Sequence, residues 1–367
     1  MRSLCFRLLV LGVVALTAQQ GYAQRVRVSY AATDANNQHK LFPYKGTVYA
    51  TYTRPVAGTP QVHVDVSRDG RRWQTLGQVS RGRGPSTLST LVVDRAGRVH
   101  VAWTQFDGPI GRVYYSRYDR RWSDPLSLSP PATYAGYPSM DVDSRDRLHL
   151  VWYGIRPASA GSGTGHGAIY EIYYVQHDRR WTQPEQISPG TPDAINPALA
   201  VDTQDRVHVV WFQSDGRAYQ VMYRTRRAAS GPWSPPVALT GGEQPSTKPT
   251  LAVDRSGQVH IVWERKGGID YRAGTIRRWS AHARLSDDGR DPTVGLWPRG
   301  VFVLWRGEDG VIRIRVFRGQ WQNAGRLSSG DFPNATPWRP GGEGTPFAVW
   351  TAAGGFQVTS LSRFLDR

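Results

Sequence analysis

The chain has 367 residues, 39% apolar and 20% charged, a balance that excludes an intrinsically disordered protein. Its formal net charge is +17, nearly all from arginine, and a single cysteine excludes a disulfide framework. Beyond the leader, no stretch approaches the roughly 20 apolar residues that a membrane-spanning helix needs.

The N-terminus places Arg2 and Arg7 before an apolar run from Leu8 to Leu16, then the small residues Gly21 and Ala23. This order predicts a secretory signal peptide over residues 1–23, with 24–367 as one mature domain that is secreted or periplasmic. Cys5 lies before the apolar run and leaves with the peptide, so no cysteine remains to carry a lipid anchor. Next comes Arg25-Val-Arg-Val-Ser-Tyr30, which alternates like a strand but belongs to no larger unit.

From there one pattern governs the chain. Asp94-Arg-Ala-Gly-Arg-Val-His-Val-Ala-Trp103 returns as Asp143 to Trp152, as Asp202 to Trp211 and as Asp254 to Trp263. Weaker copies are Gly46 to Tyr52, Gly300 to Trp305 and Gly344 to Trp350. A unit of this length cannot bury its own apolar surface and must stack on its neighbours. In the third unit, residues 138–143, 148–152, 168–176 and 183–187 read as four strands, the second apolar on both faces. A second tryptophan opens the fourth strand of six units (Trp73, Trp122, Trp181, Trp233, Trp279 and Trp321), as an anchor between units would.

The expectation is an all-β, seven-bladed β-propeller of four-stranded antiparallel blades. The last unit lacks its outer strand, so Val26 to Tyr30 is predicted to supply it and close the ring. Arginine recurs in turns such as Arg71-Arg72, Arg120-Arg121 and Arg179-Arg180. Spread around the ring and not gathered on one face, these favour a solvated surface over an anionic partner such as acidic polysaccharide, lipopolysaccharide, nucleic acid or a wall polymer.

His100, His149, His208 and His260 suggest a metal ring, but the same position holds Tyr49, Phe302 and Phe347 elsewhere. A position that accepts all three wants a flat ring, so His149→Phe is expected to be harmless and no metal or cofactor is expected. Asp141, Asp143 and Asp146 lack the glycine and distal glutamate of a calcium loop.

Ser67-Arg-Asp-Gly-Arg-Arg-Trp73 resembles the turn of the sialidase and Asp-box (BNR) repeat propellers, one residue short; other copies keep mainly Asp and Trp. Sialidase chemistry, with an arginine triad, a tyrosine nucleophile paired with glutamate and an aspartate acid/base, finds only Arg54, Arg156, Arg265 and Arg306 beside Glu171, Glu264 and Glu308 as stand-ins. Propeller lyases offer another precedent, for which His39, Tyr137, His166 and Arg156 are the right residue types.

The divergent stretches point to the site. The loop from Tyr153 to Tyr170 is far longer than its counterparts, and insertions concentrate on the binding face. The start of each first strand, at Asn37 to His39, Leu88, Tyr137, Asn196, Lys248, Asp291 and Asn334, should line a central funnel. Amide, aromatic and charged groups together suit a polyhydroxylated ligand. The candidate binding residues are therefore His39, Tyr137, Arg156, His166, Asn196, Lys248, Asp291 and Asn334. The leading reading is a secreted propeller that binds a glycan, acidic or neutral, or another extracellular ligand at its funnel. The alternative is a glycoside hydrolase or polysaccharide lyase acting on acidic polysaccharide. Nothing signals a specific nucleic-acid partner.

Overall fold

The computed structural model describes residues 31–36, 39–131, 133–156, 169–190, 192–227, 231–337, 346–353 and 355–366. The predicted signal peptide, the closing strand proposed at Val26 to Tyr30, the rim position Asn37 and most of the long loop, His166 included, lie outside them.

The second strands explain the architecture. In blade 4, Arg206–Ser214 buries Val207, Val209 and Trp211 on one face and His208 and Val210 on the other. Such a strand is stable only inside a stack. Seven sheets result, with first strands Leu41–Tyr44, Ser86–Val93, Ala135–Val142, Ala194–Val201, Ser246–Val253, Arg290–Trp297 and Asp331–Ala335. Within each, consecutive strands pair antiparallel, so every blade is a meander. The fourth strand is short, and in blade 3 it splits into Arg180–Trp181 and Glu185–Gln186. Blade 7 has three described strands, ending with Phe347–Ala352 and Gly355–Ser360.

The core lies between blades. Trp103, Trp152, Trp211, Trp263, Trp305 and Trp350 are all fully buried there. The second set of tryptophans locks neighbours together, as its placement predicts. Trp181 meets Tyr115 of the preceding blade edge-on at 5.0 Å, and Trp233, Trp279 and Trp321 meet Tyr174, Tyr223 and Tyr271 in the same way. Blades 7 and 1 close on each other through Phe356, 4.5 Å from Tyr52 and edge-on to Trp73 at 5.8 Å.

The meander places the first-to-second and third-to-fourth turns at one end of the disc, the base. The second-to-third hairpins and the connections between blades lie at the other end, the mouth. Base turns of adjacent blades touch: Asp146 accepts from Arg95 N at 2.9 Å, and Asp205 from Ser144 N at 2.8 Å. The Asp-led turns form as expected, with Asp94 accepting from Arg98 N at 2.9 Å and Gly97 at a φ of 84°. In blade 1, Asp69 accepts from Arg71 N and Arg72 N, both at 2.8 Å, and Trp73 Nε1 donates to Gly70 O.

Two expectations need correction. The turn arginines encircle the ring, but because the meander gathers both kinds of turn at one end, they share the base. The four histidines are buried, yet they do more than fill space. His149 lies between Asp143 Oδ2 at 3.3 Å and Tyr174 Oη at 2.6 Å, and His100, His208 and His260 repeat the arrangement.

Candidate functional site

At the mouth, a β-bulge interrupts each first strand from blade 2 to blade 7. Its residue is left-handed although it is never glycine: Leu88, Tyr137, Asn196, Lys248, Asp291 and Phe332, all with φ between 49° and 57°. Bulges re-aim side chains, and left-handed non-glycine residues concentrate where the surrounding fold dictates geometry. Five of the predicted rim positions therefore occupy one structural place. The seventh does not. The bulge of blade 7 falls at Phe332, whereas Asn334 lies two residues deeper, 2% exposed. A proline follows the bulge residue from blade 3 onward, and Phe332-Pro333 is the sequence signal that could have located it.

The mouth is partly filled by the chain itself. Ala32 O accepts from Thr53 N of blade 1, and Thr33 donates to Phe332 O at 3.0 Å in blade 7. Asn36 Nδ2 donates to Pro292 O at 2.7 Å and to Lys248 O at 3.2 Å, joining blades 5 and 6. Asn334 Nδ2 donates to Ala35 O at 3.1 Å, so this amide holds the N-terminal segment. Just below, Lys40 is fully buried with Nζ on Ser89 O at 2.5 Å, and burial lowers it to about 7 against the pull of Asp34. The axial cavity beneath, lined by His39, Asn36, Asp141 and Thr250, has a volume of about 60 Å³. The N-terminal segment thus narrows the axis just below the mouth.

Two clusters stand at the mouth. On one side Tyr137 packs on Tyr153 at 5.3 Å, and Tyr153 also meets Tyr134 at 5.8 Å and Tyr170 edge-on at 5.5 Å. Burial raises Tyr134 to about 12 and drives Tyr137 and Tyr153 higher still, so all three are neutral phenols. On the other side Lys248 Nζ sits 2.8 Å from Asp291 Oδ1 and 3.0 Å from Glu264 Oε1. Glu264 also accepts from Asp291 N at 2.6 Å. Burial pushes the Glu264 carboxyl up, and Lys248 draws it only partly back. Lys248 itself is pulled down by burial but held above its ordinary value by the two carboxylates. The clusters sense each other, since Asp34 and Asp291 both raise Tyr137. Arg306 pairs with Asp331 nearby.

The structure thus joins Lys248 and Asp291, places Tyr137 in the tyrosine cluster and His39 at the cavity. Asn196 is buried with Oδ1 unpartnered among the described residues. Arg156 ends the second strand of blade 3, at the foot of the long loop. Sequence reasoning missed Tyr134, Asp34 and Lys40. Their only signal was a departure from the repeat: Lys40 stands where other units carry a small or polar residue. Among the described residues no group of three or more His, Cys, Asp or Glu side chains is disposed to hold a metal, and no helix is long and apolar enough to cross a membrane.

No family profile and no curated protein sequence matches this chain. Solved structures do. A polysaccharide lyase described as an ulvan lyase aligns over 92% of this chain and 97% of its own, at a TM-score of 0.61 and 13% identity. A protein of unknown function from Dyadobacter fermentans aligns over 74% and 93%, at 0.57 and 12%. An α-L-arabinanase from Penicillium chrysogenum, solved with arabinobiose, aligns over 75% and 93%, at 0.51 and 13%. The class is therefore a β-propeller, a fold shared with glycoside hydrolases and polysaccharide lyases. At these identities the likeness is one of fold.

Proposed function

We propose that the protein is an extracellular propeller that binds an acidic polysaccharide across its mouth. The observation that carries this reading is the pairing of a tyrosine wall with a half-exposed lysine held between two carboxylates. Sugar rings stack on aromatic faces, and their hydroxyls and carboxylates are met by phenols, amides and ammonium groups. Related folds give the reading context: the ulvan lyase is also described with a GlcA-Rha3S oligosaccharide bound. Tyr137, Asn196, Lys248 and Asp291 are the contacts proposed, with Arg156 and His166 contributed by the long loop. The test is titration calorimetry with uronic-acid oligosaccharides on Lys248→Ala, Asn196→Ala and Tyr153→Ala proteins. Each lost contact should weaken binding by about 1–3 kcal/mol. Unchanged affinity in all three moves the site elsewhere.

A second reading, glycan cleavage, is favoured by Glu264 alone. Burial makes its carboxyl easier to protonate than an ordinary glutamate, the direction a general acid toward a glycosidic oxygen needs. Asp291 shares the same lysine, so the two carboxylates stand closer than the roughly 6.5–9.5 Å of inverting glycosidases. Reducing-end release without unsaturated uronates that disappears in Glu264→Gln would support hydrolysis, and the anomer first released would distinguish retention from inversion. Absorbance from unsaturated uronates would indicate a lyase instead, and neither signal would leave binding as the function.

A further inference from the structure

We propose that the base of the disc is a second, separate binding surface for a linear acidic polysaccharide. The inference stands apart from the mouth reading and uses none of its residues.

The turn between third and fourth strands presents an exposed arginine in each of the first six blades: Arg72, Arg121, Arg180, Arg227, Arg278 and Arg318. First-to-second turns add others at the same end, such as Arg95 and Arg145. Of the acidic residues in these turns, Asp69, Asp119 and Asp178 stand exposed beside the arginines, whereas others are turned inward. Asp94, Asp143 and Asp202 have side chains with no exposure, each spent on backbone N–H groups, an arginine Nε and a buried histidine. Asp146 and Asp205 serve the neighbouring blade's turn. In the third-to-fourth turns the exposed arginines, such as Arg71, Arg72, Arg120, Arg121, Arg179 and Arg180, outnumber the exposed aspartates Asp69, Asp119 and Asp178, so this end of the disc carries a net positive surface.

The chemistry of this face selects among anions. Arginine forks match carboxylate and sulfate groups bidentately. Interfacial membrane binding needs large apolar side chains to insert, and the base offers only Ile276 among the described exposed ones. Single-stranded nucleic acid is held by exposed aromatic platforms. Here the base tryptophans are occupied in packing between blades, as Trp181 and Trp233 are against Tyr115 and Tyr174. What remains is a ring of separated cations, suited to a hydrated polymer bearing one anion per repeat.

The experiment compares two full-length variants of equal net charge. One, R72S/R121S/R180S/R278S, removes four base arginines that have no side-chain hydrogen bond among the described residues. The other, R54S/R83S/R217S/R326S, removes four exposed arginines from the mouth end. Both variants and their wild-type reference carry Tyr153→Ala, so that the proposed mouth site does not mask the base, and binding to polygalacturonate and to heparin is measured at 0.1 M salt after equal melting temperatures are confirmed. At the strength of exposed ion pairs, the base variant should bind about 10- to 100-fold more weakly, and the mouth variant should stay near the reference. Equal losses would reduce the effect to net charge, and a loss confined to the mouth variant would place the polymer there; either overturns the proposal. Vesicles of phosphatidylglycerol and phosphatidylcholine, or duplex DNA, binding the reference more tightly than both polysaccharides would overturn it as well. A mouth that fails to bind sugar leaves this result untouched, because the two variants report on opposite ends.

Discussion

His149 shows how a residue can look like filler and carry a specific bond. Its counterparts Tyr49, Phe302 and Phe347 suggest a position that wants any flat ring, yet its two nitrogens span Asp143 and Tyr174. The signal was present in the sequence as a co-occurrence. Blades with the histidine also carry the turn Asp and a third-strand tyrosine, while blades 1, 6 and 7 have Val64, Ile314 and Val358 at the tyrosine position. His149→Phe should therefore destabilise the fold by about 1–3 kcal/mol, because it removes a partner from a buried carboxylate and a buried phenol. A denaturation midpoint equal to wild type would restore the simple packing view. The same bonds make stability depend on pH. Burial lowers His100, His149 and His208 below their ordinary 6.5, with the partner aspartates only partly opposing it. A histidine lowered in the folded state resists protonation there, so its contribution is complete above 6.5 and is lost as the pH falls below it. For Asp143 and Asp202, burial opposes ionisation, but hydrogen bonds from histidine and arginine win and hold them near 2. That contribution persists until far more acid conditions. The melting temperature should accordingly fall between pH 7.5 and pH 5, and a flat or rising profile would contradict the burial of neutral histidines.

At the scale of elements, the strands were legible because they repeat, and the departures from repetition were not. The second strand of blade 3 was expected over 148–152 and runs over Leu148–Arg156, extended by pairing with Ile169–Asp178 at the foot of the long loop. Its Trp152 is 1% exposed, and Trp152→Ala should cost about 3–5 kcal/mol in transfer energy and residual cavity, read from denaturant unfolding. The long loop behaves differently. Replacing Ser159 to Gly167 by a short Gly-Ser turn should leave the melting temperature nearly unchanged and weaken uronic-acid oligosaccharide binding, since Tyr153 and Tyr170 flank that insertion in the tyrosine wall. The segment 31–36 could not be read as an element at all. It has no period, and its bonds reach partners some 200 to 300 positions away, as Asn36 with Pro292 and Thr33 with Phe332. Only the folded ring brings those groups together, and there they partly close the funnel.

For the whole molecule, a closed ring depends on one seam that the repeat does not specify. Every other junction joins consecutive blades; the seam joins blade 7 to blade 1, through Phe356 against Tyr52 and Trp73 and through Val349 against Leu41, Val48 and Ala50. The outer edge of Gly355–Ser360 has no partner strand among the described residues. We retain the proposal that Val26 to Tyr30 pairs there. Thr33 already binds Thr351 at 2.9 Å, so the chain leaves residue 31 beside blade 7. An unpaired edge at the seam would let the ring open from one place, and a strand from the opposite terminus removes that edge. Deleting residues 24–30 should then lower the melting temperature and broaden the transition, and Phe356→Ala should do the same. If both act on one seam, the double variant should lose less than the sum of the single losses, with a coupling of about 0.5–3 kcal/mol. Strictly additive losses, or a deletion that melts like wild type, would mean that the N-terminal strand lies elsewhere and that blade 7 is held by its first three strands alone.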